Sequence, residues 1–448
     1  MELLLKRVLL YIGPAWVVLF ISIQACSSSM PQFAVYSAAA ILSTAWMFYG
    51  LWRFFFRPPL EGERPDSSLT HQALGFLAIV TVLLLTFSYL TGYRHDYMSY
   101  IKQWDIILRG DDPWRGTDNA YGPVHNLFAS WYNIQGLLPK LWFSFLLSAT
   151  GGIASFFPLR IDEKTSLPQR YLLFIFFILS PFALITVTFY GLNDILPAAA
   201  MVLAIIGAIT FKDFLPRILS GGILAIGVMS KFYPIIILPS LSIRRRRIDW
   251  AFISGFLGVL VSIALLAYKI WGKSMLYPLL FAGFRGSAHL SLFHFTRTVL
   301  ELNLDRLSTP VMLVVFLAMS LFLFKKNLDP MLNSILIFAS VLSFYKVGHQ
   351  QFFLFFFLIS PYAIRHLLSD SNFLTPKLAA AFFVWIGFLN WYQLEYQLTC
   401  GLVEWPARFF RYYGALLYVL ISGVLAVMIF KRIAAKDLIL ADSPTANR

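Results

Sequence analysis

Charge is what this sequence has least of. Asp, Glu, Lys and Arg make up 13% of its 448 residues, against ~25% in a soluble domain. Half the usual charge excludes an ordinary water-soluble enzyme. Acidic side chains are the rarer sign, 22 against 36 Lys and Arg, for a formal net charge of +14. Cysteine occurs only at Cys26 and Cys400, which excludes a disulfide scaffold, and no Cys/His spacing suits zinc. The two thiols read as unrelated buried groups, with one disulfide between outer helix ends as the other reading. There is no repeat of roughly 20–50 residues, no low-complexity stretch and no long polar domain. Any chemistry must therefore be built from short loops and helix ends.

Apolar residues fill the space that charge leaves: 59% hydrophobic and 17% aromatic, with a mean hydropathy of +0.71. They come in blocks of about 16–22, the length that crosses ~30 Å of hydrocarbon at ~1.5 Å per residue. The pattern predicts an all-α, polytopic transmembrane bundle, a single domain over 1–448 with about twelve spans. These are 8–27, 33–52, 72–91, 137–157, 171–189, 195–211, 250–271, 308–324, 331–345, 351–367, 376–392 and 412–430. The first follows Lys6 and Arg7 as a signal peptide would, but lacks a small-residue cleavage site and is read as a span. The positive charge forms no basic face for nucleic acid. It sits at block ends, in Arg53/Arg57/Arg64, Arg244 to Arg247, Lys325/Lys326 and Arg365/Lys377, which alternation from an inside N-terminus puts in the cytoplasm.

Residues 217–243 break that alternation. They carry basic residues at both ends, so a single crossing would put "RRRR" outside. The segment is read as a re-entrant hairpin turning at "SKFYP", where Pro234 disfavours helical geometry at Tyr233. A turn at membrane depth needs surrounding protein or a water-filled cavity.

Unusual polarity lies on the external side. The first external loop, 92–136, contains "YRHDYMSYIKQWDIILRGDDPWRGTDNAYGPVHN", which gathers Asp96, Asp105, Asp111, Asp112 and Asp118. Asp96 directly follows a span, where a carboxylate can take a proton from a hydroxyl; the plainer reading is an N-cap for the amphipathic stretch after it. Asp111 and Asp112 lie in backbone punctuated by Gly and Pro. They read as a solvated turn, or as ligands for Mg²⁺ or Mn²⁺ with a phosphate. Asn193 and Asp194 in "YGLND" read as helix caps or as polar groups of a site. Lys231 in "KFYP" and Lys346 in "KVGHQQ" lie near or within apolar sequence, where a lysine costs on the order of 3 kcal/mol and is by default a functional candidate. Arg285, His289 and Arg297 in "FRGSAHLSLFHFTR" add donors for a phosphate, with headgroup snorkelling as the alternative.

In this order the stretches resemble GT-C glycosyltransferases that use polyprenyl-phosphate sugars, among them bacterial integral-membrane mannosyltransferases and the GPI mannosyltransferase I catalytic family. The shared shape is an Asp soon after a span, a Tyr four residues on, then G-x-x-P-aromatic and Y-x-P. Here these are Asp96, Tyr100, Gly110 to Trp114, and Tyr121–Gly122–Pro123. "GLND" at 191–194, "KFYPIIILP" at 231–239 and "KVGHQQFFLFF" at 346–356 follow in family order, so the likeness covers about residues 90–360.

The resemblance implies a GT-C-like bundle and inverting transfer of a hexose such as mannose. The donor would be a polyprenyl-phosphate sugar in the membrane lipid, and the acceptor a hydroxyl of a glycan or glycolipid on the external or luminal face. It implies Asp96 as the catalytic base. Lys231, Lys346 and Gln351, with Arg285 and Arg297, would hold the donor phosphate. Tyr100, Trp104, Asp111, Asp112, Trp114, Tyr121, Asn193, Asp194, His289 and His349 would line the sugar and acceptor sites, the aromatics stacking on sugar rings. Some relatives carry a second acidic residue beside the base, whereas His95 and Tyr97 flank Asp96 here. That leaves both a metal and the choice between Asp96 and the Asp111/Asp112 pair open. A bacterial inner membrane is the expected location, ahead of the endoplasmic reticulum. A transporter or flippase is the alternative function and predicts inverted repeats, which the sequence does not display. A non-catalytic subunit of a glycosylation complex is a third.

Overall fold

The computed structural model describes residues 68–94, 96–115, 121–157, 165–244, 247–326, 329–369, 376–398 and 407–441. Candidate spans 8–27 and 33–52, Cys26, Cys400, His95 and Asp118 lie outside the described residues, and of His289 only the backbone is described. The described chain is helical almost throughout. Its extended pieces are two short pairings: Ile243–Arg244 antiparallel to Arg247–Ile248, and Ala288–His289 parallel to Val347–Gly348.

Four stretches are long and apolar enough to cross a membrane: His71–Leu90, Trp250–Phe281, Asp305–Phe322 and Tyr413–Lys431. The pair Leu167–Ile178 and Pro181–Phe189, bent by 47°, would make a fifth. At the bend Ser180 Oγ accepts from Ala183 N at 3.2 Å and starts a new helix, which widens to π-helical turns over Leu184–Phe189. The long helices turn apolar side chains outward, among them Val82, Leu83, Leu265, Val314 and Val424, as contact with hydrocarbon requires.

Shorter apolar helices lie inside this shell: Ile195–Thr210, Phe214–Ser230 and Pro330–Ser343. Leu354–Ser369 joins them, with Phe355, Phe356, Phe357 and Leu358 buried. Phe182 stacks on Phe357 at 4.4 Å. A helix apolar all round suits a protein interior as well as a membrane, so composition alone cannot separate inner helices from lipid-facing ones. Hydroxyls on these segments bond back to their own turns, as Thr188 Oγ1 does to Leu184 O at 2.6 Å and Ser334 Oγ to Pro330 O at 2.7 Å. Arg365, assigned above to a cytoplasmic loop, is buried and donates to Ala154 O (2.9 Å) and Phe157 O (2.7 Å), closing the end of the Leu138–Phe156 helix.

Over 217–243 the chain runs along the Phe214–Ser230 helix, turns at Lys231, and returns through a 3₁₀ turn at Tyr233–Ile237 and a short helix at Leu238–Ser242. Arg217, near the start, forms an ion pair with Asp249, just past the end. Outgoing and returning arms therefore begin and finish together, and Lys231 sits at the far tip.

Candidate functional site

The first loop is anchored before it reaches the site. Lys140, buried in the first turn of the Leu138–Phe156 helix, donates to Thr91 Oγ1 (2.8 Å), Gly92 O (2.7 Å) and Phe189 O (2.8 Å). All three ammonium protons are used, so this lysine staples the start of the loop to the "YGLND" turn. Gly191 makes that turn with φ +69°, and a Cβ there would lie 2.8 Å from Lys140 Cγ, a conformation and a spacing open only to glycine. Sequence reasoning missed Lys140, although a lysine inside an apolar block was a signal it used elsewhere.

Asp96 opens the Tyr97–Leu108 helix. Its carbonyl accepts from Ser99 N (2.9 Å) and Tyr100 N (3.1 Å), while its carboxylate makes no capping bond to the helix. The half-buried carboxylate acts on the interior instead. Burial first, then the Asp96 and Asp194 charges, hold the Tyr121 phenol above its ordinary range. Tyr100 is raised by burial, then by Tyr121 and the same two carboxylates.

The "YGP" stretch docks on the tip of the 217–243 hairpin. Gly122 N donates to Ser230 O at 2.9 Å, and a Cβ on Gly122 would lie 2.2 Å from Met229 O. The close approach sets the Tyr121 ring over Lys231, with its centroid 5.1 Å from Nζ; the Phe352 centroid is 5.8 Å away. Pro123 then begins the Pro123–Asn126 turn that carries His125. Trp104 Nε1 donates to His125 O (3.2 Å) and Trp114 Nε1 to Tyr121 O (2.9 Å). Both indoles are buried, so these rings support the loop backbone.

At the centre Lys231 Nζ meets Asp194 Oδ2 at 2.7 Å, both side chains buried. Asn193 N donates to the Tyr100 hydroxyl (3.2 Å), which donates to Asn193 Oδ1 (3.2 Å), and Asn193 Nδ2 lies 2.9 Å from His125 Nδ1. Neither Asn193 nor Asp194 spends its side chain capping the Ile195–Thr210 helix: Asp194, in the cap position, makes no such bond. Burial, and after it the Lys231 charge, push the His125 imidazole well below its usual range and keep it neutral.

A cationic rim lies nearby. Arg285 is exposed and packs on the Phe281 ring at 5.7 Å, and its guanidinium has no hydrogen bond or ion pair among the described residues; its charge reaches Tyr121. Lys346 Nζ donates to Gly283 O at 3.0 Å, and Ala288 N donates to Lys346 O at 3.2 Å, so the "FRGSAH" and "KVGHQQ" stretches are paired. Arg297 is held by Asp305 Oδ2 (3.2 Å) and Ser287 O (2.6 Å). Gln351 is buried in the Gln350–Phe353 turn, and the His349 ring stands edge-on to Phe352 at 5.7 Å.

Asp111 and Asp112 make contacts within their own loop. Asp111 is exposed 3.9 Å from Arg109, and Asp112 Oδ1 accepts from Trp114 N at 3.0 Å. Among the described residues no three His, Cys, Asp or Glu side chains are grouped to hold a metal. The steps below draw on the chain's own side chains. No known family model, curated protein or solved structure matches this chain.

Proposed function

We propose that this chain is a multi-pass glycosyltransferase of the GT-C type in a bacterial inner membrane, moving a hexose from a polyprenyl-phosphate donor to an acceptor hydroxyl on the external face. The observation that carries it is convergence. Tyr100, Tyr121, Asn193, Asp194 and Lys231 come from three separate stretches of the resemblance and meet in one cluster, within reach of the Asp96 charge.

In this mechanism Asp96 accepts the proton of the acceptor hydroxyl as its oxygen attacks the anomeric carbon. The new carbon–oxygen bond forms as the bond to the phosphate oxygen breaks, and the electron pair leaves with the polyprenyl phosphate. Lys231 is already compensated by Asp194, so the growing phosphate charge falls to Arg285 and Lys346 at the rim. The test is transfer from a labelled polyprenyl-phosphate hexose by Asp96→Asn, folded and expressed as wild type. Wild-type rates in that variant remove Asp96 from the mechanism.

A buried Lys–Asp pair inside a helical bundle also suits a transporter. Uptake of a polyprenyl-phosphate sugar or other solute into proteoliposomes, without sugar transfer, favours that second function.

A further inference from the structure

Three buried polar atoms at the site have no role in the mechanism above. Asp194 Oδ1, His125 Nε2 and Tyr233 Oη have no hydrogen-bond partner among the described residues. All three belong to side chains linked to one cation, Lys231, directly or through one aromatic ring. Asp194 holds Lys231 through its other oxygen at 2.7 Å. The Tyr121 ring, 5.1 Å from Lys231 Nζ, lies 4.7 Å from the His125 ring. The Phe352 ring, 5.8 Å from the same Nζ, lies 4.7 Å from the Tyr233 ring. Buried polar groups are as a rule paired, so three unpaired ones around a single ammonium mark a place built for a polar guest.

The hydrogen-bond network fixes which of them donate. Asn193 N donates to the Tyr100 oxygen, so the Tyr100 proton goes to Asn193 Oδ1. Asn193 Nδ2 is then the donor to His125 Nδ1, which leaves Nδ1 without a proton and puts the imidazole proton on Nε2. His125 thus offers a donor, Asp194 an acceptor, and Tyr233 a hydroxyl that serves as either. A free donor together with a free acceptor suits a hydroxyl group, which gives one hydrogen bond and takes another. A phosphate is disfavoured there, because Asp194 already neutralises Lys231 and presents a carboxylate oxygen.

We propose that His125 Nε2–H, Asp194 Oδ1 and the Tyr233 hydroxyl form a recognition subsite for a hydroxyl of the transferred sugar, with His125 as the specificity-determining donor. Tyr121, half-buried, is the most accessible side chain of this group. The subsite rests on the glycosyltransferase reading and adds to it a residue that no motif pointed to.

The test uses the full chain in lipid nanodiscs, with polyprenyl-phosphate hexoses and their single-deoxy analogues as donors. His125→Asn keeps an acceptor in the place of Nδ1 and removes the Nε2 donor; His125→Gln keeps a donor in the place of Nε2. For the Asn variant kcat/KM should fall about thirtyfold for the hexose and little for one deoxy analogue, with His125→Gln recovering most of the loss. Tyr233→Phe, which removes only an oxygen, should fall about tenfold in the same pattern. Wild-type discrimination in His125→Asn, or in Tyr233→Phe should the Asn variant not fold, overturns the subsite. So does equal impairment of folded Asn and Gln variants. Absence of transfer by the wild-type protein from every donor overturns the glycosyltransferase reading itself.

Discussion

Lys231 Nζ and Asp194 Oδ2 lie 2.7 Å apart, 37 residues separated in sequence and both buried. Neither charge is tolerable there alone; together they form a nearly neutral unit at the tip of the 217–243 hairpin. The pair also ties that tip to the "YGLND" turn, and with it the docking ledge for Tyr121.

Removing one partner should cost more than removing both. Lys231→Met leaves Asp194 buried without its counter-charge, and a loss of about 3–5 kcal/mol is expected. Lys231→Met with Asp194→Asn should recover most of it, read as thermal unfolding in detergent. Equal instability of the single and double variants would show that the two side chains do not act as a unit.

Arg285 should separate binding from folding. It is exposed and its guanidinium is unpaired among the described residues, so Arg285→Gln should change stability by less than ~0.5 kcal/mol. If it receives the donor phosphate, KM for the lipid donor should rise about tenfold, ~1.4 kcal/mol in affinity. An unchanged KM assigns the phosphate to other cations.

Acid should act on the fold through His125. Its folded-state pKa is depressed, by burial first and then by Lys231, while in the unfolded chain it takes a proton near pH ~6.5. Below that pH the unfolded state binds more protons, so stability falls as pH drops, by up to ~1.4 kcal/mol per pH unit. Above it this group contributes no pH dependence. Unfolding of wild type and His125→Asn between about pH 7 and pH 5 checks this: the variant should have the shallower acid slope.

Gly122→Ala should strike the site through the backbone. Its Cβ would lie 2.2 Å from Met229 O, which forces the loop off the hairpin tip at a cost of about 1–3 kcal/mol. Because Tyr121 precedes it, transfer should fall more steeply than stability. A variant with wild-type transfer would mean that the loop docks elsewhere in the working state.

Much of the site was legible one residue at a time, because a charged or amide side chain stands out in apolar sequence. Asp96, Asp194 and Lys231 stand out that way as candidates, yet nothing in the spacing pairs Lys231 with Asp194. Trp104 and Trp114 read in sequence as platforms for a sugar, and their N–H bonds to loop carbonyls, which the sequence does not display, add a role as props for the loop. Lys140 and His125 escaped notice because Lys140 binds mainly backbone carbonyls, which have no signature, and His125 owes its character to enclosure by Tyr100, Trp104 and Tyr121. The expected count of twelve spans met a similar limit, since inner and outer helices share one composition.

The Lys231–Asp194 contact also sets an order of assembly. Asp194 precedes Lys231 by 37 residues, so the pair closes only when the Phe214–Ser230 helix brings the hairpin tip to the "YGLND" turn. Lys140 can grip Thr91 and Gly92 by then and gains its third acceptor at Phe189 just ahead of Asp194. The Lys140 staple can thus be complete before the buried ion pair forms, and docking of the 217–243 hairpin is the step that closes the site.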